Sequence, residues 1–239
     1  MGHGSEAAAG GPPLAVVAAS EEVLALSEAD ERLLDRVERD RAALFRRERD
    51  RTDFVAAHLL VRLCAARLLG IEPAEVAFGQ LCPGCGQRGH GRPLLTDRPG
   101  VHLSLSHSAG MVAAAAGTVP VGVDVERPAA TTAGVEQRVL APAEAELVRR
   151  HPDPAAAFLR LWVRKEALIK IGRVDLDTLA QVDLSALPLL PAEDEPLSHR
   201  FGDLHLLDWT DRRRGVLVAA ASTAPVRLGT AAVPLTDLG

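Results

Sequence analysis

The chain has 239 residues, 47% of them hydrophobic and 25% charged, with a net charge of −5. That apolar content can build the cores of one large domain or two small ones. The acidic balance argues against general nucleic-acid binding, which favours a strongly basic surface. Apolar runs such as 111–116 are too short to cross a bilayer, and three cysteines make no disulfide framework.

The first twenty residues are rich in Ala, Gly and Pro and read as a loose N-terminus. They carry neither the basic start nor the long apolar core of a secretory leader, so a soluble cytoplasmic protein is expected. Ser27 opens S-E-A-D-E, a helix start, with Leu33, Leu34 and Val37 following at helical spacing. Residues 39–51 hold six arginines against three acids, and Phe54, Leu59, Leu60, Leu63, Leu68 and Leu69 then give one apolar helix face that ends near Gly70. Residues 82–100, broken by Gly and Pro, read as loop. Short strands are predicted over 101–106, 111–116 and 121–126. A short helix over 142–150 and a strong one over 155–171 follow, the second with Phe158, Leu161, Trp162, Leu168 and Ile169 as apolar positions. After a Pro-rich loop at 188–196, strands are predicted over 205–209, 215–221 and 226–233.

The chemistry-bearing residues fall into four groups. Asp124 and Glu126, in V-G-V-D-V-E, lie two apart on a strand, so they share a face with roughly 7 Å of chain between them, while Val123 and Val125 turn into a core. Adjacent carboxylates repel unless protonated, solvated or neutralised. The pair is therefore either a solvated acidic strand face or two oxygen ligands for a hard cation such as Mg²⁺. On the 155–171 helix, Trp162, Glu166 and Lys170 are spaced i, i+4, i+8 and form one stripe, although Glu166 with Lys170 alone also describes an ordinary surface ion pair. Of the 27 basic residues only Lys165 and Lys170 are lysines. An ammonium is a compact charge that can give up a proton, whereas a guanidinium stays protonated.

The third group is S-L-S-H-S, with Ser104, Ser106, His107 and Ser108. It is either a small polar turn or a set of phosphate-oxygen donors; without a G-x-S-x-G elbow, a serine-hydrolase reading is weak. The fourth is Cys82-x-x-Cys85 with His90. A structural zinc takes four ligands, and His102 is a fourth that nothing in the sequence motivates, so a knuckle-like turn with two reduced thiols is the default. Cys64 falls on an apolar helix face and reads as core.

Taken in order, H-G-R-P (90–93), S-L-S-H-S (104–108), G-V-D-V-E-R-P (122–128) and W-V-R-K-E-A-L-I-K (162–170) resemble the motifs of the Sfp-type 4′-phosphopantetheinyl transferases, and R-D-R-T-D-F-V-A-A-H-L-L-V-R (49–62) resembles that family's N-terminal helix. The resemblance spans roughly residues 40–222. It implies an α/β (α+β) fold of two similar α/β halves in one chain related by a pseudo-twofold, here residues 21–119 and 120–239 after a flexible 1–20, with the active site between them. It implies transfer of the 4′-phosphopantetheine group of coenzyme A to a serine of an apo acyl or peptidyl carrier protein by a monomer.

By the same resemblance Asp124, Glu126 and Glu166 hold Mg²⁺, with Mn²⁺ as a substitute. Glu166 serves as general base, with a metal-bound water as the alternative. Lys170 meets the leaving phosphate, and Arg49, Arg92, Ser106 and His107 hold coenzyme A phosphates. Ala167 stands where some relatives carry serine, and Ile171-Gly172-Arg173 replaces a lysine- and glycine-bearing segment. A non-catalytic relative that binds carrier protein or coenzyme A is the alternative, against which all three carboxylates and both lysines count. A Mg²⁺-dependent phosphatase or nuclease shares the acids but has no need of S-L-S-H-S or H-G-R-P.

Overall fold

The computed structural model describes residues 11–128, 135–189 and 196–230. In chain order the elements are β1 (Leu14–Ala19), α1 (Ser20–Leu24), α2 (Arg36–Ala42), α3 (Glu48–Leu69), β2 (Phe78–Leu81), β3 (Arg92–Leu95), β4 (His102–Ser108), β5 (Met111–Gly117), β6 (Val121–Glu126), α4 (Glu136–Val139), α5 (Pro142–Arg150), α6 (Pro154–Lys170), β7 (Leu197–Phe201), β8 (Leu204–Asp211), β9 (Val216–Ser222) and β10 (Arg227–Gly229). The protein is a mixed α/β structure with two sheets. The first has the order β10-β1-β5-β4-β3-β2 and the second β6-β9-β8-β7. Every pairing is antiparallel except β1 with β10.

The side chains of β5 show how the layers stack. Val112, Ala114 and Ala116 pack with α3, whereas Met111, Ala113 and Ala115 face Val121, Val123 and Val125 of β6 and Val216, Val218 and Ala220 of β9. The outer face of the second sheet, with Leu206, Leu217, Ala219 and Ala221, is covered by Phe158, Leu161 and Leu168 of α6. The order of layers is thus helix, sheet, sheet, helix. The alanine run of β5 is buried on both faces, and its small side chains let α3 and the second sheet approach from opposite sides.

Local chemistry sets the helix ends. Asp35 caps α2 by accepting from the Glu38 N–H at 2.8 Å, while Glu38 accepts from the Asp35 N–H at 2.7 Å. Asp153 caps α6 by accepting from the Ala156 N–H at 3.0 Å, with Pro154 following. The helix expected from Ser27 is instead a 3₁₀ turn at Glu31–Leu33 and the separate α2, because Asp30 and Asp35 each cap a new start.

Three further expectations are corrected. The loose N-terminus read over 1–20 contains β1, whose small apolar residues fit between α3 and the second sheet; residues 1–10 lie outside the described residues. The loop read over 82–100 contains β3, which pairs with β2 along its length but with β4 only where Leu94 meets His102. The last strand spans 227–229, with 231–233 outside the described residues, and it pairs with β1 in the first sheet, so the chain's end returns across the boundary expected near residue 119. β7 was not foreseen in the Pro-rich surroundings of 188–196, where 190–195 lie outside the described residues. No helix among the described residues is long and apolar enough to cross a membrane.

Candidate active site

β6 is an edge strand of the second sheet, and β4 runs beside it. The three serines of S-L-S-H-S, two residues apart, share one face of β4 and meet β6 in register. Ser104 accepts from the Val123 N–H at 3.0 Å, and Ser106 donates to Asp124 Oδ1 and Ser108 to Glu126 Oε2, each at 2.7 Å. Ser108 also accepts from the Arg127 N–H at 3.4 Å. The serines therefore satisfy an otherwise unpaired sheet edge and hold its two carboxylates. Ser106, expected among the phosphate-binding residues, is buried here and donates its hydroxyl to Asp124.

The stripe on α6 lies over the same carboxylates. Trp162 Nε1 donates to Glu126 Oε1 at 3.3 Å, and Lys170 Nζ donates to Asp124 Oδ1 at 2.7 Å and to the Val123 carbonyl at 2.9 Å. Lys170 is thus paired with Asp124 rather than with Glu166. Asp124 is 3% exposed, and its Oδ2 is buried with no hydrogen-bond partner.

Burial raises the pKa of Glu166, and the charges of Asp124 and Glu126 raise it further against the opposing charge of Lys170. Burial likewise raises the pKa of Glu126, with Asp124 adding to it, while the Ser108 and Trp162 hydrogen bonds and Lys170 oppose. The three carboxylates therefore feel one another, but they do not close into a tight ligand cluster. Among the described residues, the trio of His, Cys, Asp or Glu ligand atoms that lies within 4.8 Å of one another is Cys82, Cys85 and His90. A buried carboxylate oxygen without a partner, beside two carboxylates with raised pKa values, suits a divalent cation.

The other expected phosphate-binding residues lie on β3, β4 and α3 of the first layer. His107 lies on the β4 face opposite the serines. Crowding by protein atoms lowers its pKa, Lys170 and Arg41 lower it further, and Asp53 opposes them. Arg92, exposed on β3, lays its guanidinium against Gly172 just beyond α6; a Cβ at Gly172 would fall 2.8 Å from Nη1. Arg49 lies over the β4–β5 turn, where a Cβ at Gly110 would be 3.5 Å from Nη2. Beside Glu126 opens a cleft of about 370 Å³ walled by Pro128, Val135, Phe158, Leu159 and Trp162.

Lys165 does not join this group. It is fully buried, and its three N–H donors are shared among four acceptors, Glu144 Oε2 at 2.6 Å and the carbonyls of Val139, Val182 and Leu179 at 2.7, 2.7 and 3.1 Å. Its role is to tie α6 to the connections around α5, which only a compact ammonium can do with four acceptors so arranged. Asp53 was missed in the sequence. Buried on α3, it accepts from Ser20 Oγ and from the Gly110 N–H at 2.9 Å, and so fixes the turn after His107. An acid immediately before the apolar run from Phe54 was its only sequence signal.

Residues 120–220 match the family model described as the 4′-phosphopantetheinyl transferase superfamily. The match takes in β6 and α6 but not H-G-R-P or S-L-S-H-S. The chain is 32% identical over 114 residues to a 4′-phosphopantetheinyl transferase of Bacillus subtilis, a match covering 47% of this chain and 48% of that protein. It is 26% identical over 114 residues, with the same coverage, to 4′-phosphopantetheinyl transferase Sfp of Bacillus subtilis (strain 168). It is 33% identical over 85 residues to 4′-phosphopantetheinyl transferase psf-1 of Bacillus pumilus, covering 35% of this chain and 36% of that one. The chain thus spans at most about half the length of these curated relatives, and it resembles the Sfp-type 4′-phosphopantetheinyl transferases.

Proposed function

We propose that this chain, as a cytoplasmic monomer of two α/β halves, transfers the 4′-phosphopantetheine group of coenzyme A to a serine of an apo acyl or peptidyl carrier protein and releases adenosine 3′,5′-bisphosphate. The observation that carries this reading is the Trp162–Glu166–Lys170 stripe of α6 lying over Asp124 and Glu126, with Asp124 Oδ2 buried and partnerless.

Asp124, Glu126 and Glu166 hold Mg²⁺ in this reading, with Mn²⁺ able to replace it. When bound, the cation supplies charge neutralisation for the coenzyme A pyrophosphate. Arg92, His107 and Arg49 grip the phosphates. Glu166, made more basic by burial and by its acidic neighbours, takes the proton of the carrier serine. The serine oxygen then bonds to the phosphorus bearing the pantetheine arm, and the bond from that phosphorus to the bridging oxygen breaks. An ammonium has three donors, and Lys170 spends two on Val123 and Asp124. The third is free for the departing phosphate. Ser106 and Ser108 orient the carboxylates.

The test is to incubate the protein with coenzyme A, Mg²⁺ and apo carriers of the fatty-acid, polyketide and peptide types, and to weigh each carrier by mass spectrometry. A carrier gains the mass of phosphopantetheine on its serine, and Asp124→Ala abolishes the gain. No gain on any carrier would sink the proposal, and coenzyme A or carrier binding without gain would mark a non-catalytic relative.

A further inference from the structure

The loop joining β2 to β3 has almost nothing apolar to hold it. Residues 83–88 are exposed throughout, yet the backbone is closely ordered. The Cys82 N–H donates to the Gln87 carbonyl at 3.0 Å, the Gly86 N–H donates to the Cys82 carbonyl at 2.9 Å, and the N–H groups of Gly84 and Cys85 are aimed at the Cys82 sulfur. Gly91 seats the loop's end on its start so tightly that a Cβ there would fall 2.5 Å from Cys82 Cα. Arg41 Nη1 donates to the Gly89 carbonyl at 2.8 Å, which fixes the loop to α2.

This turn brings the Cys82 and Cys85 sulfurs and a His90 ring nitrogen within 4.8 Å of one another, with Cys85 Sγ 3.3 Å from His90 Nε2. Zinc–sulfur and zinc–nitrogen bonds of about 2.3 and 2.0 Å in a tetrahedron put sulfur and nitrogen roughly 3.5 Å apart, so the observed spacing needs little adjustment. Amide groups directed at a cysteine sulfur stabilise the thiolate form that binds metal. His102 does not complete the set: it lies on β4 opposite Leu94 and outside the trio.

We propose that Cys82, Cys85 and His90 bind Zn²⁺, with a solvent water as fourth ligand, and that this clip holds the β2–β3 loop. Both thiols lose their protons to solvent on binding, His90 binds as the neutral imidazole, and no redox change is involved. The clip stands apart from the carboxylates of β6. It replaces the missing apolar core of the loop, and the chain leaves it directly through Gly91 into Arg92, whose guanidinium lies against Gly172.

The test uses the full-length chain. Metal analysis of the purified protein finds one zinc per chain. Replacement by Co²⁺ gives the thiolate-to-cobalt charge-transfer absorption, which oxygen ligands cannot produce, so cobalt held by the β6 carboxylates is not mistaken for this site. Cys82→Ser and Cys85→Ser lose both signals, whereas Cys64→Ser, altered on the buried face of α3, keeps them. Amide hydrogen exchange over residues 82–92 slows when zinc is restored to the chelated protein. Should the Ser variants fail to fold, the parent chain alone decides. If its Cys82 and Cys85 thiols react equally fast with a thiol reagent with and without saturating Zn²⁺, or if cobalt gives no charge-transfer band, or if intact mass finds the two cysteines joined as a disulfide, the proposal is overturned.

Discussion

Ser106 and Lys170 share a single carboxylate oxygen, Asp124 Oδ1, each at 2.7 Å. The arrangement leaves Oδ2 buried and without a protein partner. Hydrogen bonds of this kind act through orientation: they hold one rotamer of a ligand that would otherwise sample several. Ser106→Ala removes the neutral half of that grip and leaves the charged half. Losing one such bond to a charged group costs about 1.5–3 kcal/mol of stability, and Lys170 still serves the same oxygen, so the variant folds. Under the proposed activity, turnover at limiting Mg²⁺ falls by about 10- to 100-fold and recovers in part as Mg²⁺ is raised, while Ser106→Thr, which keeps the hydroxyl, loses much less. Steady-state rates across a Mg²⁺ series check this. A loss that is the same at every Mg²⁺ concentration contradicts an orienting role, as does no loss at all.

The helix α6 has two differently occupied sides. Arg160 and Arg164, one turn apart, both bind the buried Asp208 of β8, and Lys165 binds Glu144; Trp162, Glu166 and Lys170 face β6. What sets the distance between helix and strand is Gly122, where a Cβ would fall inside the Ala167 carbonyl oxygen and 2.8 Å from Ile171 Cγ2. Gly122→Ala must push α6 outward, because the nearest obstacle is helix backbone rather than a side-chain tip. Overpacking of this kind costs about 1–3 kcal/mol, or a Tm lower by roughly 2–12 °C in a chain this long. It also draws Glu166 and Lys170 away from Asp124, so the activity left at a temperature where the variant is fully folded drops too. An unchanged Tm with full activity means the helix is not seated on this glycine. The sequence made much of this element legible, because spacings of four along a helix and two along a strand follow from backbone geometry alone. It placed Trp162, Glu166 and Lys170 on one stripe and Asp124 with Glu126 on one face. The use of the serines was not legible, since their partner is the free edge of a strand in the other sheet. Nor was β1, whose alanines read as loose until α3 and the second sheet supply the two surfaces that small residues fit. Arg92 meeting Gly172 and Lys165 reaching four acceptors are likewise tertiary facts that no local pattern encodes.

Across the whole molecule, the placement of His107 depends on how the helices of the first layer are pinned. His107 faces α3, whose position against α2 is set by a buried group of ions. Glu38 accepts from Arg62 Nη1 at 2.8 Å and from Arg62 Nη2, and lies 2.6 Å from His58 Nδ1; all three residues are at most 5% exposed. Burial alone would raise the Glu38 pKa, but the His58 and Arg62 hydrogen bonds and the Arg62 charge hold it at about 2, against an ordinary 4.5. The folded chain therefore keeps this carboxylate ionised where the unfolded chain takes up a proton. Its contribution, on the order of 3 kcal/mol, is full above pH 4.5 and fades as pH falls towards 2. Burial lowers the pKa of His58 below 6.5 despite the opposing Glu38, so the unfolded chain also binds a proton there that the folded chain refuses, and stability begins to fall below that pH. Many other carboxylates add to acid unfolding, so the informative quantity is a difference. Glu38→Gln leaves Arg62 buried without its counter-charge, which costs about 3–5 kcal/mol, or roughly 6–20 °C in Tm near neutral pH. Because the variant has no carboxylate to lose, the Tm gap between it and the parent narrows as the buffer is taken from about pH 5 to about pH 3, where the parent gives up the same contribution. Thermal melts of the two proteins across that range decide the point: a gap of constant width means that Glu38 is protonated as readily in the folded chain as in the unfolded one, and that the ion group does not hold α2 to α3.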